Sequence, residues 1–161
     1  MTHAPLPAPD ALSWRVEPEA AADAAAVDAL VLAAFGPGRF AKTAERLREG
    51  ARPAHGFVIR SEGRVIGSVR LWPIRVGQTP ALFLGPIAVE AESRREGMGA
   101  ALVRACLDAA DGRGVLLVGD PPYFGRFGFR PAPGTLLPGP VDPRRVMWLG
   151  TGEPEGDVRV S

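Results

Sequence analysis

Cysteine is nearly absent from this 161-residue chain: Cys106 stands alone, which excludes an intrachain disulfide. Tyrosine is as scarce, with Tyr123 the only phenol, and histidine is limited to His3 and His55. No cluster of metal-ligating residue types stands out, so no metal site is expected. Charge of one sign is lacking too. The 19 basic and 18 acidic residues leave a net charge of +1, which gives no reason to expect a nucleic-acid or anionic-membrane partner. No uncharged apolar run approaches the roughly 18 residues of a membrane-crossing helix. The opening MTHAPLPAPDALSW has neither a basic start nor an apolar stretch. A secretory signal is therefore not expected, and the reading is cytoplasmic. Lysine is represented by Lys42 alone, and arginine supplies the rest of the positive charge.

What is present is an ordinary globular composition, 46% hydrophobic, long enough for one core. Residues 1–12 are Pro/Ala-rich and read as a flexible tail, 13–149 as a single domain, and 150–161 as a loose second tail. Trp14–Glu17 reads as a short strand. Pro18–Ala34 is alanine-rich, with Val27, Leu30, Val31 and Ala34 at helical spacing, and Phe35-Gly36-Pro37-Gly38 ends it. Ala41–Arg48 reads as a second short helix. Gly56–Arg60 and Arg64–Val76 are strands around the turn Ser61-Glu62-Gly63, and Ala81–Val89 is the next strand. A helix runs from about Gly97 to Ala110, with Met98, Leu102 and Cys106 on one stripe. Val115–Val118 is wholly apolar, as a strand buried on both faces would be. Tyr123–Phe127 reads as a short helix and Val146–Leu149 as a last strand. This order argues for a mixed α/β sheet with helices on both faces, in which strands 81–89 and 115–118 run parallel through a right-handed crossover.

The most informative run is LGPIAVEAESRREGMGAALVRACLDAA, residues 84–110. It holds Arg94-x-x-Gly97-x-Gly99 between a strand and a helix. Glycines without Cβ let the backbone approach a ligand closely. The helix start offers unpaired N–H groups and a positive dipole end, and Arg94 and Arg95 add charge. Together they form an anion pocket suited to the pyrophosphate of a nucleotide-like cofactor. This run resembles the acyl-CoA signature of the GNAT superfamily of N-acyltransferases. Residues 115–129, VLLVGDPPYFGRFGF, resemble that family's next strand and short helix at the right distance. The resemblance covers roughly residues 12–149 and is nearest to small bacterial proteins predicted to be acetyltransferases with a Gly-Asp-Pro…Arg-Phe-Gly-Phe block.

The resemblance implies a GNAT-like, mostly antiparallel mixed sheet (α+β) with two splayed parallel strands holding acyl-CoA. It implies acetyl-CoA as cosubstrate and a primary amine of a small molecule or peptide as acceptor, with a homodimer open. By the same resemblance, Ile87, Ala88 and Val89 contact the pantetheine, and Arg94, Arg95, Glu96, Gly97, Met98, Gly99 and Ala100 hold the pyrophosphate. Phe124 and Arg126 are further cofactor-side candidates, with surface pairing as the alternative for Arg126. Two residues depart from the pattern: Ala91 stands where proline is common, and Glu96 stands where a basic or polar residue is common.

Acyl transfer to an amine needs an unprotonated nucleophile, a polarised carbonyl and a leaving thiolate. Tyr123 is the candidate acid, since a phenol can donate to the thiolate, with a structural or substrate-lining role as the alternative. The family's tyrosine commonly corresponds to Phe124, one residue later. Asp120 is the candidate base, with the alternative that it caps the Pro121–Phe127 turn. Phe35, Arg39 and Trp72 are candidate acceptor contacts, with a core role as the alternative for Trp72. Two other functions stay open. One is a non-catalytic acyl-CoA-binding sensor, suggested by Phe124. The other is a dinucleotide-binding oxidoreductase, suggested by Gly97-x-Gly99 with Asp120 downstream.

Overall fold

A computed structural model of the chain describes residues 14–36, 51–91, 97–139 and 141–161. The first strand, β1 (Trp14–Pro18), pairs antiparallel with β2 (His55–Ser61). Pro18 is in that pairing, opposite Phe57, so the helix expected from Pro18 cannot begin there. Asp23 accepts from the Ala20 N–H at 2.9 Å and closes a 3-10 turn, Ala21–Asp23. Helix α1 (Ala24–Phe35) follows, and the Gly36 N–H closes it on the Leu32 carbonyl. The short helix expected at 41–48 lies outside the described residues.

The hairpin of β2 and β3 (Arg64–Val76) turns on Glu62-Gly63, both at positive φ, as the turn chemistry expects. Strand β3 is the spine of the sheet. One edge carries β2 and, beyond it, β10 (Gly156–Val160). The other edge carries β4 (Thr79–Leu84) and then β5 (Ala88–Val89). The order continues from β4 through β6 (Val115–Val118) and β9 (Val146–Leu149) to β7 (Arg130–Pro131), while β8 (Thr135–Leu136) pairs with β10. Residues 150–161 are therefore not a loose tail. Val158 is buried, and the strand around it extends the sheet at β3. Its Gly/acidic lead-in (150–155) masks a short alternating strand that its pairing with β3 and β8 stabilises.

Helix α2 (Met98–Ala110) connects β4 and β5 to β6, and the β4–β6 pair is parallel, Leu82 opposite Val115 and Phe83 opposite Leu116. Adjacent residues on a strand face opposite sides. Accordingly Val58 packs with Val27, Leu30 and Val31 of α1, and Ile59 packs with Leu102 and Cys106 of α2. The two helices thus cover opposite faces of the sheet. Leu116 and Leu117, both buried, likewise divide between the two faces, as the apolar run at 115–118 indicates.

Candidate active site

The expected strand 81–89 is not continuous. Leu71 lies opposite Leu84 and Ser68 opposite Ala88, so four steps on this strand match three on β3. The extra residue is a bulge. Gly85 has φ 140, a value that side-chain-bearing residues avoid, and Pro86 has no N–H to give the ladder. Gly85 still donates to the Arg70 carbonyl at 2.9 Å, and its own carbonyl accepts from the Trp72 indole at 2.6 Å. The Gly-Pro pair was the sequence signal for this break. Its consequence is divergence: β4 pairs with β6, whereas among the described residues β5 pairs with β3 alone.

The Glu90 N–H donates to the Ile66 carbonyl at 2.8 Å, toward β3. Strand alternation then directs the Val89 N–H away from β3, toward the side where β5 leaves β6. The Ala88 side chain is buried under α1. Glu90 is ion-paired with Arg64.

Helix α2 opens at this divergence. Gly97 is its cap residue at φ 82, and its carbonyl accepts the first helical bond, from Ala101 N–H. The N–H groups of Met98, Gly99 and Ala100 precede that bond and have no place in the helical ladder. Met98 turns its side chain into the core, so it presents only backbone here. Arg94, Arg95 and Glu96 lie outside the described residues.

Helix α3 (Pro121–Gly125) faces this opening from the end of β6. Asp120 is its N-cap, accepting from the Tyr123 N–H at 3.3 Å on an exposed surface. The capping alternative accounts for Asp120, and its carboxylate is engaged in the turn and not buried at a reaction centre. The two rings of α3 meet edge-on, with centroids 4.9 Å apart, and reach different neighbours. The Phe124 ring turns inward: a Cβ at Gly119 would lie 2.3 Å from it, and it stacks edge-on with Phe129. Tyr123 turns to α2, where a Cβ at Gly99 would lie 3.1 Å from its hydroxyl. The Arg126 guanidinium sits 4.2 Å over the Tyr123 ring and donates to the Tyr123 carbonyl at 3.2 Å. Arg104 of α2 lies 5.7 Å over Phe127.

Trp72 is 6% exposed, and its one donor is committed to Gly85. It is a core residue that fixes the bulge, and an acceptor-lining role does not suit that placement. Phe35 ends α1 and is 38% exposed, while Arg39 lies outside the described residues. Sequence reasoning missed two features. Gly119 makes room for Phe124, and Arg70 is held by Glu19 through two hydrogen bonds of 3.0 and 2.7 Å. That second pair links positions 51 residues apart and left no local signal. Cys106 is enclosed in α2, and burial pushes its thiol up to about 12, so it is no nucleophile.

The fold agrees with the comparisons. The model of the Acetyltransferase (GNAT) family matches residues 24–122. The chain belongs to the GNAT acetyltransferase family, and it is an acyltransferase. Its fold is similar to the GNAT family N-acetyltransferase YhbS from Escherichia coli, solved in complex with CoA. That similarity has 28% identity over 99% of this chain and 94% of the other, with a TM-score of 0.80. A GNAT family acetyltransferase from Brucella melitensis, in complex with acetyl-CoA, is 27% identical over 92% of this chain and 96% of the other, with a TM-score of 0.71. An acetyltransferase structure from Corynebacterium glutamicum, 20% identical with a TM-score of 0.68, shares the fold; 89% of this chain and 99% of that one are covered. No curated protein matches.

Proposed function

We propose that the protein is an N-acetyltransferase that moves the acetyl group of acetyl-CoA to a primary amine of a small molecule or peptide by direct attack. The observation that carries this reading is the divergence of β5 from β6 beside the N-terminus of α2. Similar chains hold CoA or acetyl-CoA, and acetyl-CoA is the acyl donor here. The N–H groups of Ile87 and Val89 line the pantetheine arm and polarise the thioester carbonyl. The backbone of Gly97, Met98, Gly99 and Ala100 receives the pyrophosphate, with Arg94 and Arg95 supplying charge. In the transfer the amine nitrogen bonds to the carbonyl carbon and the carbon–sulfur bond breaks. The amine proton passes to water, and the sulfur leaves as thiolate. Holding the two reactants together contributes about 7–11 kcal/mol by itself.

The test is thermal unfolding with acetyl-CoA, with NAD as the control. A ligand bound only by the folded state adds about 2.7 kcal/mol at a hundredfold excess over its Kd. A shift with acetyl-CoA alone, followed by turnover in a screen of amines, is the expected result. A shift with NAD alone, or with neither, overturns the reading.

A further inference from the structure

The one phenol of the chain stands in an unexpected place. A proton donor to the thiolate must lie at the thioester, between the parting strands. The aromatic ring at the end of β6 is Phe124, seated over Gly119 and unable to donate. The Tyr123 hydroxyl stands instead beside Gly99, the second residue inside α2. There it lies against the first turn of α2, whose leading N–H groups precede the first helical bond. In coenzyme A the pyrophosphate and the thiol lie at opposite ends of the pantetheine arm, so one hydroxyl cannot serve both.

We infer that Tyr123 is a cofactor-binding residue whose hydroxyl donates to the coenzyme's pyrophosphate at the N-terminus of α2, and that it does not protonate the departing thiolate. The inference rests on the acetyl-CoA reading above. It also assigns a reason to the second glycine of Arg94-x-x-Gly97-x-Gly99. Gly97 is set by its backbone at φ 82. Gly99 is a plain helical residue, and a Cβ there would crowd the Tyr123 hydroxyl at 3.1 Å. Gly99 is thus the seat of the phenol.

The experiment measures Kd for two probes, CoA and adenosine 3′-phosphate 5′-diphosphate, which keeps the pyrophosphate and lacks the pantetheine and thiol. Tyr123→Phe keeps the ring beneath Arg126 and removes only the hydroxyl, so its melting temperature reports that the fold is intact. The expected result is that Tyr123→Phe weakens both probes by about tenfold, the size of one hydrogen bond to a charged group. Gly99→Ala weakens both in the wild-type background and adds little in the Tyr123→Phe background, since the group it displaces is already gone. Unchanged affinity of Tyr123→Phe for the thiol-free probe overturns the inference and returns the phenol to the sulfur end. Failure of the wild-type chain to bind either probe overturns the acetyl-CoA reading itself and this inference with it. The two failures are therefore distinct.

Discussion

Gly97 shows what a single position contributes. Its φ of 82 favours glycine, yet nothing lies within 4 Å of where a Cβ would stand. Aspartate tolerates the left-handed region better than most residues, so Gly97→Asp is expected to fold while placing a carboxylate against the pyrophosphate. CoA affinity should fall by a factor of at least ten, since two like charges about 4 Å apart near a protein surface repel by about 4 kcal/mol. Calorimetric titration checks this; wild-type affinity in a folded variant would remove the pyrophosphate from this loop. Asp120 separates cap from base. Losing a capping side chain costs about 0.5–2 kcal/mol. Asp120→Ala should lower the melting temperature, and Asp120→Asn, which still caps, should keep both stability and turnover. A large loss of turnover in Asp120→Asn would make the carboxylate the base. The sequence placed Gly97 at the start of a helix and Asp120 before a short turn, as the structure has them. It could not tell which way Tyr123 and Phe124 point, because neighbours on a short helix diverge and only Gly119 and Gly99 decide which ring goes where.

At the scale of elements, the bulge in the strand 81–89 is the feature on which the site depends. The Trp72–Gly85 bond ties it to β3 inside the core. Trp72→Phe keeps an aromatic ring but leaves the Gly85 carbonyl buried without its donor, at a cost of about 1–3 kcal/mol. Denaturant unfolding should show that loss, and CoA affinity should fall with it as β5 loses its fixed departure from β6. Wild-type affinity in this variant would mean that the divergence does not depend on Trp72. The strands 64–76, 115–118 and 146–149 were legible because each is a compact apolar or alternating run. Strand β10 was not: only Val158 is buried within it, and its pairing with β3 supplies the order.

Across the whole molecule, the first strand, the first helix and the hairpin are joined by charge. Arg60 of β2 donates to Glu17 at 2.8 Å and to both Asp23 oxygens at 3.1 and 3.0 Å. The Ala20 N–H, then Arg60, hold the Asp23 carboxyl below its ordinary value of 3.8. A lowered carboxyl contributes stability above its unfolded value and loses it as pH falls through the folded value. Asp23 therefore stabilises the fold fully at neutral pH and progressively less below about pH 4. Melting temperature against pH should be flatter on this acid limb in Asp23→Asn than in the wild type. Parallel curves would show that the group contributes nothing to acid unfolding. No described helix is long and apolar enough to cross a membrane.

The sequence by itself determined the family and the α/β class. Those depend on local patterns: residue spacing along a strand or helix, a glycine pair after a strand, a Gly-Asp-Pro turn. Only the tertiary structure decided that β5 leaves β6, that Trp72 is spent on Gly85, that Glu19 holds Arg70, and that Tyr123 faces Gly99. Each of those joins residues distant in the chain or chooses between adjacent side chains, and packing alone makes such a choice.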